Sequence, residues 1–263
     1  MTAPTSTRTP AFFFGHGSPM NALERNQYTD AWRRLGALAG RPKAILAISA
    51  HWYTQATAVT AMTRPKTIHD FYGFPQTLFD VQYPAPGDPD LAARVRELLA
   101  PVDVALDHSW GLDHGTWSVL KHAFPDADIP VVQLAIDATK PALFHHTLGA
   151  HLAPLRDEGV LVIGSGNVVH NLRLIGWGGG APYDWATRFN DYVRDALSTR
   201  QYERLINYEQ AGADAQLAVP TPEHYLPLLY VLGAQREDEP LNIAIDGIEI
   251  RSIGMLSVWA SAR

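Results

Sequence analysis

Short apolar runs alternate along the chain with segments in which apolar residues recur at helical spacing. Eight runs rich in valine, isoleucine and alanine predict β-strands. Several of them are apolar on both faces, which is typical of a sheet that helices cover on two sides. The predicted strands cover residues 11–14, 43–50, 57–62, 102–106, 130–136, 159–163, 241–245 and 254–260.

Five segments between these strands carry helix start signals or helical periodicity. Thr29 precedes an apolar stripe, and Asp88 and Lys140 each precede a proline that suits the first position of a helix. Two further helices are predicted from about Tyr183 to Thr199 and from Pro222 to Ala234. This alternation predicts an α/β fold with a central, mostly parallel or mixed sheet and helices on both faces.

Length and composition indicate one domain. The chain has 263 residues, of which 46% are hydrophobic and 18% charged, so it is able to bury a full core. It shows no internal repeat, low-complexity tract or linker. We therefore expect a single domain over residues 11–263, preceded by a flexible segment at residues 1–10.

Charge and cysteine content narrow the function classes. The 21 basic and 27 acidic residues give a formal charge of −6 without a basic cluster, so we expect no nucleic-acid partner. With no cysteine in the chain, any metal must be held by histidine or carboxylate side chains. The early apolar run 11–15 is shorter than a signal-peptide core of roughly 7–15 residues, and no run approaches the ~18 residues of a membrane span. We expect a cytoplasmic protein without a membrane partner.

Four histidines lie in short runs of glycine, serine and turn residues that follow a predicted strand or open a helix. They are His16 in FFFGHGSPM, His51 in ILAISAHWY, His170 in VLVIGSGNVVHNL and His224 in TPEHYLPLLY. Each has an ordinary alternative as a turn, strand-end or helix-start residue. Because ligands collect at the carboxyl ends of strands in open α/β sheets, we favour a shared metal centre.

A fifth candidate is His114 in LDHGTW, which lies between an acidic residue and a glycine and is otherwise an ordinary loop residue. The loop from Arg64 to Pro75 carries Phe71, Tyr72 and Phe74, which would suit the wall of a pocket for an aromatic ligand. We assign the remaining histidines to surfaces or helix faces, and those at 145, 146 and 151 lack the i, i+4 spacing of a helical metal pair. These remaining histidines are His69, His108, His122, His145, His146 and His151.

Two other site types fail on the residues around Ser165. A dinucleotide-binding loop starting at Gly164 would need a third glycine where Val169 stands. A serine-hydrolase elbow would need glycine where Ile163 stands. We therefore expect Ser165 to have a structural role.

Five motifs in chain order resemble those of the class III extradiol ring-cleaving dioxygenases, most closely the branch that includes 4,5-DOPA extradiol dioxygenases. The motifs are FFxHGSPM, ISAHW, LDHGTW, GSGNxVHN and TPEHYxPL, and the likeness runs from about residue 11 to 260. The resemblance implies a single catalytic α/β domain with a mononuclear non-haem metal, a catecholic substrate and O₂.

By motif match, the resemblance implies that His16, His51 and His224 are metal ligands. It implies that His170 is an acid/base residue or a fourth ligand, and that His114 lies near the substrate hydroxyls as a second catalytic residue. Protocatechuate-type members use two histidines and one carboxylate, whereas the matching position here is His224, with Glu223 adjacent.

Metal identity follows from this ligand set only in part. Three neutral histidines would leave the full charge of a divalent ion, which a catechol dianion would balance. Such a site suits Fe(II) for turnover and also accepts Zn(II). Two alternatives stay open: a zinc-dependent hydrolase that uses the same histidines, and a non-catalytic interaction protein like the Memo-type proteins, which share the fold.

Overall fold

An eight-stranded mixed sheet runs through residues 8–261, the part of the chain that this computed structural model describes. Its strand order is β4-β3-β5-β2-β6-β1-β10-β7. The strands of this sheet are β1 (Ala11–Gly15), β2 (Ala44–Thr54), β3 (Thr57–Thr60), β4 (Val104–Asp107), β5 (Val131–Asp137), β6 (Val160–Gly166), β7 (Leu241–Ile245) and β10 (Ser257–Ala260). A separate two-stranded ribbon consists of β8 (Ile248–Glu249) and β9 (Ile253–Gly254).

The four central strands β5, β2, β6 and β1 are parallel to one another. Antiparallel pairing occurs toward the edges, where β10 pairs with β1, β7 pairs with β10, and β3 pairs with β5. Parallel strands place their carboxyl ends at one edge, and that edge carries the site described below. The predicted α/β fold with a mixed sheet is confirmed.

Helices connect the strands and cover both faces of the sheet. The α-helices are α1 (Gln27–Ala39), α2 (Gln76–Phe79), α3 (Pro89–Leu98), α4 (His114–Ala123), α5 (Ala142–Leu152), α6 (Pro154–Asp157), α7 (Asp184–Ser198), α8 (Tyr202–Ile206), α9 (Ala213–Ala218) and α10 (Leu226–Ala234). Short 3₁₀ turns cover Pro19–Ala22, Leu172–Leu174, Tyr208–Ala211 and Pro222–His224.

Side chains on β1 show why the strands read as apolar on both faces. Phe12 and Phe14 belong to the same buried cluster as Trp32 of α1 and Trp117 of α4. Phe13 points to the opposite face and belongs to the cluster that contains the buried residues of α5 and α10. Successive side chains of a strand alternate between faces, so a strand between two helical layers needs apolar residues at every position.

All eight predicted strands exist; only 241–245 keeps its predicted bounds, and two of the others differ in ways that matter for the site or the sheet. The predicted strand 254–260 is broken, because Gly254 pairs within the β8–β9 ribbon and β10 begins only at Ser257. Strand β2 continues past the predicted end at residue 50 to Thr54, so His51 lies inside the strand.

Three helix predictions also need correction. Helix α1 begins earlier than Thr29, because Asn26 caps it and Thr29 completes the capping box. The predicted helix from Pro222 to Ala234 is divided into a 3₁₀ turn and α10, since Pro227 has no backbone N–H to continue a helix through from the preceding turn and instead lies in the first turn of α10. Helix α4 was missed because Gly115 is a poor helix former, although Asp113 caps its first turn.

A buried ion pair connects the first described residues to segments near residues 156 and 239. Arg156 and Glu239 are both fully buried and meet through two bonds of 2.6 and 2.7 Å. Arg156 Nε also donates to the carbonyl of Thr9 at 2.9 Å. Thr9 is therefore held in place, whereas residues 1–7 of the predicted flexible segment lie outside the described part. Within residues 8–261, no helix is both long and apolar enough to cross a bilayer.

We expect Glu239→Gln to lower the free energy of unfolding by about 3 kcal/mol, because it leaves the buried Arg156 guanidinium without its counter-charge. Urea unfolding of the metal-free protein measures this loss. The matched control is Asp238→Asn, whose side chain is 70% exposed and contacts Arg8; it should cost less than about 1 kcal/mol. Equal losses in the two variants would contradict the prediction.

The contribution of Glu239 to the free energy of unfolding depends on pH in a defined direction. Burial raises the pKa of Glu239, but its bonds to Arg156 outweigh burial and leave the pKa below the ordinary glutamate value. A carboxyl with a depressed folded-state pKa stabilises the fold above its unfolded pKa and loses that effect as the pH falls through the folded value. The stability gap between wild type and Glu239→Gln should therefore narrow in acid.

Candidate metal centre

Five histidines converge at the carboxyl edge of the parallel strands. They reach this point from different elements: His16 follows β1, His51 lies in β2, His114 begins α4, His170 follows β6, and His224 ends the turn Pro222–His224. The ring centroid of His16 lies 5.1 Å from that of His51 and 5.4 Å from that of His224. The structure thus brings together all five residues that the sequence singled out.

Three of these histidines form a group with the spacing of metal ligands. One ring nitrogen each from His16, His51 and His224 lies within 4.8 Å of the other two. The Nε2 atoms of His16 and His51 face each other at 3.2 Å. Nitrogens that bind one ion tetrahedrally at ~2.0–2.1 Å are about 3.3 Å apart, so this spacing fits a shared ion.

The shape of β2 aims His51 into this group. The register of β2 against β5 shifts between Ile48 and Tyr53, so the residues between them leave the regular ladder with β5. Such an irregularity re-aims side chains and is common next to active sites. The prediction treated His51 as the residue that closes a strand, whereas a bulge within the strand directs it.

Two glycines allow the other elements to come close. A Cβ on Gly166 would clash with the carbonyl oxygen of His224, and a Cβ on Gly115 would meet Ser49 Oγ at 2.5 Å and His51 Cδ2 at 2.9 Å. These two glycines therefore allow the backbones of neighbouring elements to approach each other closely.

Ser165 orients the ring of His16. The Ser165 hydroxyl donates to the carbonyl of Gly115 at 2.6 Å, so its oxygen is left to accept from His16 Nδ1 at 3.0 Å. This hydrogen-bond network assigns the proton to Nδ1 of His16 and leaves the lone pair on Nε2. The structural role predicted for Ser165 is in this way linked to the site.

Carboxylates orient the other two rings. His51 Nδ1 lies 3.2 Å from Asp70 Oδ2, and His224 Nδ1 lies 3.2 Å from Glu223 Oε1. A carboxylate next to each Nδ1 favours a proton on that nitrogen, which leaves the lone pair on Nε2. Partners of this kind commonly fix the tautomer and orientation of metal-binding histidines. The donor set therefore fits a divalent ion, because neutral imidazole nitrogens at this spacing are metal ligands of the ordinary kind.

Electrostatics favour neutral imidazoles at this point. Burial, followed by the charges of the neighbouring histidines, holds the pKa of His16 and His224 well below the usual histidine value. The pKa of His51 is lowered in the same way. Burial alone would raise the pKa of Asp70, but its contacts with His114 and His51 lower it to about 2. Neutral histidine is the form that binds a metal.

His170 lies beside the group of three without belonging to it. Its ring stacks on that of His224, with centroids 3.4 Å apart and planes 8° from parallel. Its ligand-type atoms group with Glu223 and His224 instead of with His16 and His51. Burial, and then the charge of His114, lowers the pKa of His170 to about 4. His170 therefore lies next to His224 and outside the group of three.

His114 occupies the first turn of α4 next to His51, with ring centroids 3.8 Å apart. Phe71 contacts it edge-on at 5.5 Å, which agrees with a pocket wall formed by the loop 64–75. Tyr72 takes no part in such a wall, since it is 92% exposed. Asp70 in this loop contacts both His51 and His114.

Comparison with known proteins identifies the family. Residues 11–258 match the family model described as the catalytic LigB subunit of aromatic ring-opening dioxygenase. The chain belongs to this family, the class III extradiol dioxygenases. It is an aromatic ring-opening dioxygenase, an enzyme class that takes an aromatic substrate and O₂ and uses a single metal ion.

Individual relatives agree with this assignment. The dioxygenase is 56% identical over 260 residues to the Escherichia coli K12 protein named 4,5-DOPA dioxygenase extradiol, covering 97% of this chain and 95% of the relative. It is 42% identical to the Beta vulgaris protein of the same name, covering 88% and 89% of the two chains. A crystal structure of an uncharacterized Escherichia coli K12 protein matches with a TM-score of 0.84 at 52% identity, covering 96% of this chain and 99% of that one.

Sequence reasoning missed Asp70 and assigned no role to Glu223. A signal for Asp70 was present, because it lies next to Phe71 in the loop whose aromatic residues predict a pocket wall. His69 itself donates from Nε2 to the carbonyl of Val81 at 2.9 Å and stays outside the group. The two carboxylates also correct the charge balance, since they already offset a divalent ion before a catechol binds.

The other histidines of the dioxygenase lie elsewhere. His122 is buried on α4, and His145 is fully buried on α5 with Nδ1 3.0 Å from the hydroxyl of Tyr230. The predicted position on helix faces holds for His146 and His151 as well, since both lie in α5. His108 is exposed, as predicted.

We expect Ser165→Ala to weaken Zn²⁺ binding about 10- to 100-fold, because His16 Nδ1 loses the acceptor that fixes its tautomer. Competition with a coloured chelator measures the dissociation constant. Ser118→Ala is the matched control, since Ser118 is buried in α4 and its hydroxyl has no hydrogen-bond partner among the described residues. An unchanged affinity in Ser165→Ala, or an equal loss in the control, would count against this role.

Proposed function

We propose that this dioxygenase opens a catechol ring beside its two hydroxyl groups at one divalent ion held by His16, His51 and His224. The observation that supports the proposal is the convergence of one ring nitrogen from each of these histidines, together with an acceptor next to each Nδ1. With three protein ligands, such an ion would keep further coordination positions for substrate. Three protein ligands with open positions are typical of catalytic metal sites.

We propose Fe(II) as the ion for turnover, with Zn(II) as an ion that the same ligands accept. When bound, the ion supplies Lewis acidity toward the catechol oxygens and, if it is ferrous, redox chemistry toward O₂. Imidazole ligands suit both metals, so the distinction rests on the reaction, because zinc has no redox chemistry.

His170 and His114 then handle the protons of the reaction. A catechol that binds through both oxygens gives up hydroxyl protons, and Asp70 and Glu223 make additional negative charge in the site unfavourable. We assign His170 as the base that takes a hydroxyl proton and returns it as an acid, since it lies beside the ligands without joining them. His114, next to His51 and Phe71, lies where it would contact the second catechol oxygen.

The substrate proposal comes from the relatives. Proteins 56% and 42% identical to this chain are named 4,5-DOPA dioxygenase extradiol. We therefore propose DOPA as a substrate, with the ring opened between carbons 4 and 5. The ring C–C bond breaks, both atoms of O₂ enter the product, and the two new ends are an aldehyde and a carboxylate. A cytoplasmic location stays part of this proposal.

We expect His16→Ala to lose the metal, whereas His170→Ala should keep metal and catechol binding and lose turnover by about 10²- to 10⁴-fold. Metal content per protein chain, catechol binding by difference absorbance, and O₂ uptake measure the three properties separately. His108→Ala is the control, because His108 is exposed and outside the site. Equal loss of metal in both site variants would contradict the division of roles.

The activity itself is tested with protein loaded anaerobically with either Fe(II) or Zn(II). A panel of catechols that includes DOPA is then mixed with ¹⁸O₂, and O₂ uptake and product mass are followed. We expect the iron-loaded protein to form a semialdehyde that contains two ¹⁸O atoms and the zinc-loaded protein to form none. Hydrolytic activity that zinc supports, without any ring opening by the iron form, would support the hydrolase alternative instead.

A further inference from the structure

Asp70 contacts two of the five histidines, one from β2 and one from α4. Its Oδ2 lies 3.2 Å from His51 Nδ1, and its Oδ1 lies 3.0 Å from His114 Nδ1. The same Oδ1 accepts from the backbone N–H of His114 at 2.9 Å. Asp70 therefore stands between a proposed metal ligand and a proposed catalytic residue.

The loop that carries Asp70 is fastened to the start of α4. Ile68 N donates to the carbonyl of Leu112 at 2.7 Å, and Leu112 N donates to the carbonyl of Lys66 at 2.9 Å. Trp117 of α4 donates from Nε1 to the carbonyl of Ile68 at 2.8 Å. These bonds hold the carboxylate at a fixed position relative to the His114 ring.

Glu223 is the second carboxylate beside the histidines, and it lies on the other side of the group. Its Oε1 lies 3.2 Å from His224 Nδ1 and accepts from the hydroxyl of Thr221 at 2.8 Å. A Glu223 oxygen also lies within 4.8 Å of a ring nitrogen of His170. Removal of Glu223 should therefore affect His224 and His170, whereas removal of Asp70 should affect His51 and His114.

We propose that Asp70 is a positioning residue that couples the proposed metal ligand His51 to the substrate-facing His114, because its negative charge lies within 3.2 Å of both Nδ1 atoms and favours the proton of each ring at that nitrogen. Both Nε2 atoms then carry lone pairs directed away from Asp70, one for the ion and one for a catechol hydroxyl proton. The inference rests on the proposed function and adds a shared determinant of metal affinity and turnover.

The substitution Asp70→Asn separates the two contacts by chemistry with little change in shape. A carboxylate accepts at both oxygens, but an asparagine accepts at Oδ1 and donates at Nδ2. The backbone N–H of His114 needs an acceptor, so Oδ1 should stay on the His114 side and Nδ2 should face His51. His51 Nδ1 would then have to accept, which moves its proton to Nε2 and removes the lone pair from the ion.

Zinc affinity is the first readout, and it does not depend on oxygenase activity. We expect Asp70→Asn to raise the Zn²⁺ dissociation constant about 10- to 100-fold, as for other partners of metal-binding histidines. The matched control is Asp80→Asn. Asp80 lies ten positions further along the chain, and its exposed side chain accepts a hydrogen bond from Gln76. If Asp70→Asn binds zinc as tightly as wild type, the inference is overturned.

Turnover at saturating iron is the second readout, and it separates coupling from ligand support alone. Once Fe(II) saturates the site, Asp70→Asn should stay at least tenfold below wild type in kcat because His114 is also disturbed. Asp70→Glu, which keeps two accepting oxygens, should recover more kcat than Asp70→Asn. Full recovery of Asp70→Asn at saturating iron would overturn the coupling.

Nitrogen NMR of ¹⁵N-histidine-labelled wild type is the third readout, and it needs no variant to fold. Both His51 and His114 should show the pattern of a neutral ring protonated at Nδ1. Observation of His114 protonated at Nε2 would overturn the proposal. Wild-type protein that binds no zinc at all would instead refute the proposed function, so the two failures are distinguishable.

Discussion

The proposed metal centre requires three imidazoles to keep their protons on Nδ1, and the rest of that proposal depends on this constraint. Only then do His16 and His51 direct their Nε2 lone pairs toward each other, 3.2 Å apart. Lone pairs at that distance repel one another unless an ion or a hydrogen-bond donor lies between them. The acceptors Ser165, Asp70 and Glu223 are therefore as necessary to the arrangement as the histidines themselves.

The fold meets this constraint by attaching each ring to a backbone segment that strand pairing or close packing holds in place. Parallel pairing brings the ends of β1 and β6 side by side, with Gly15 opposite Gly166, and His16 N donates to the carbonyl of Gly166 at 3.1 Å. The turn that carries His224 packs directly on Gly166, because no side chain stands in its way. A shift of any of these elements would move a ligand nitrogen by a comparable distance.

In the proposed reaction, the two remaining histidines act beside the ion. His170 stacks on a proposed ligand, and His114 shares a carboxylate with another. An imidazole that does not bind the metal is able to accept and return a proton. Two carboxylates next to a divalent ion also limit how much negative charge a substrate can bring, so proton transfer to nearby histidines becomes part of binding.

The sequence by itself determined the element pattern, the α/β class and five histidines of the site. These features are local, because a strand between two helical layers must be apolar on both faces and a close turn must have glycine. Only the tertiary structure determined where Asp70, Glu223 and His170 lie relative to the three proposed ligands. A hydrogen bond between residues 51 and 70, or a ring stack between 170 and 224, leaves no periodic trace in the chain, because it depends on how distant elements pack. The bulge that aims His51 arises in the same way, from the pairing of β2 with its neighbour strand.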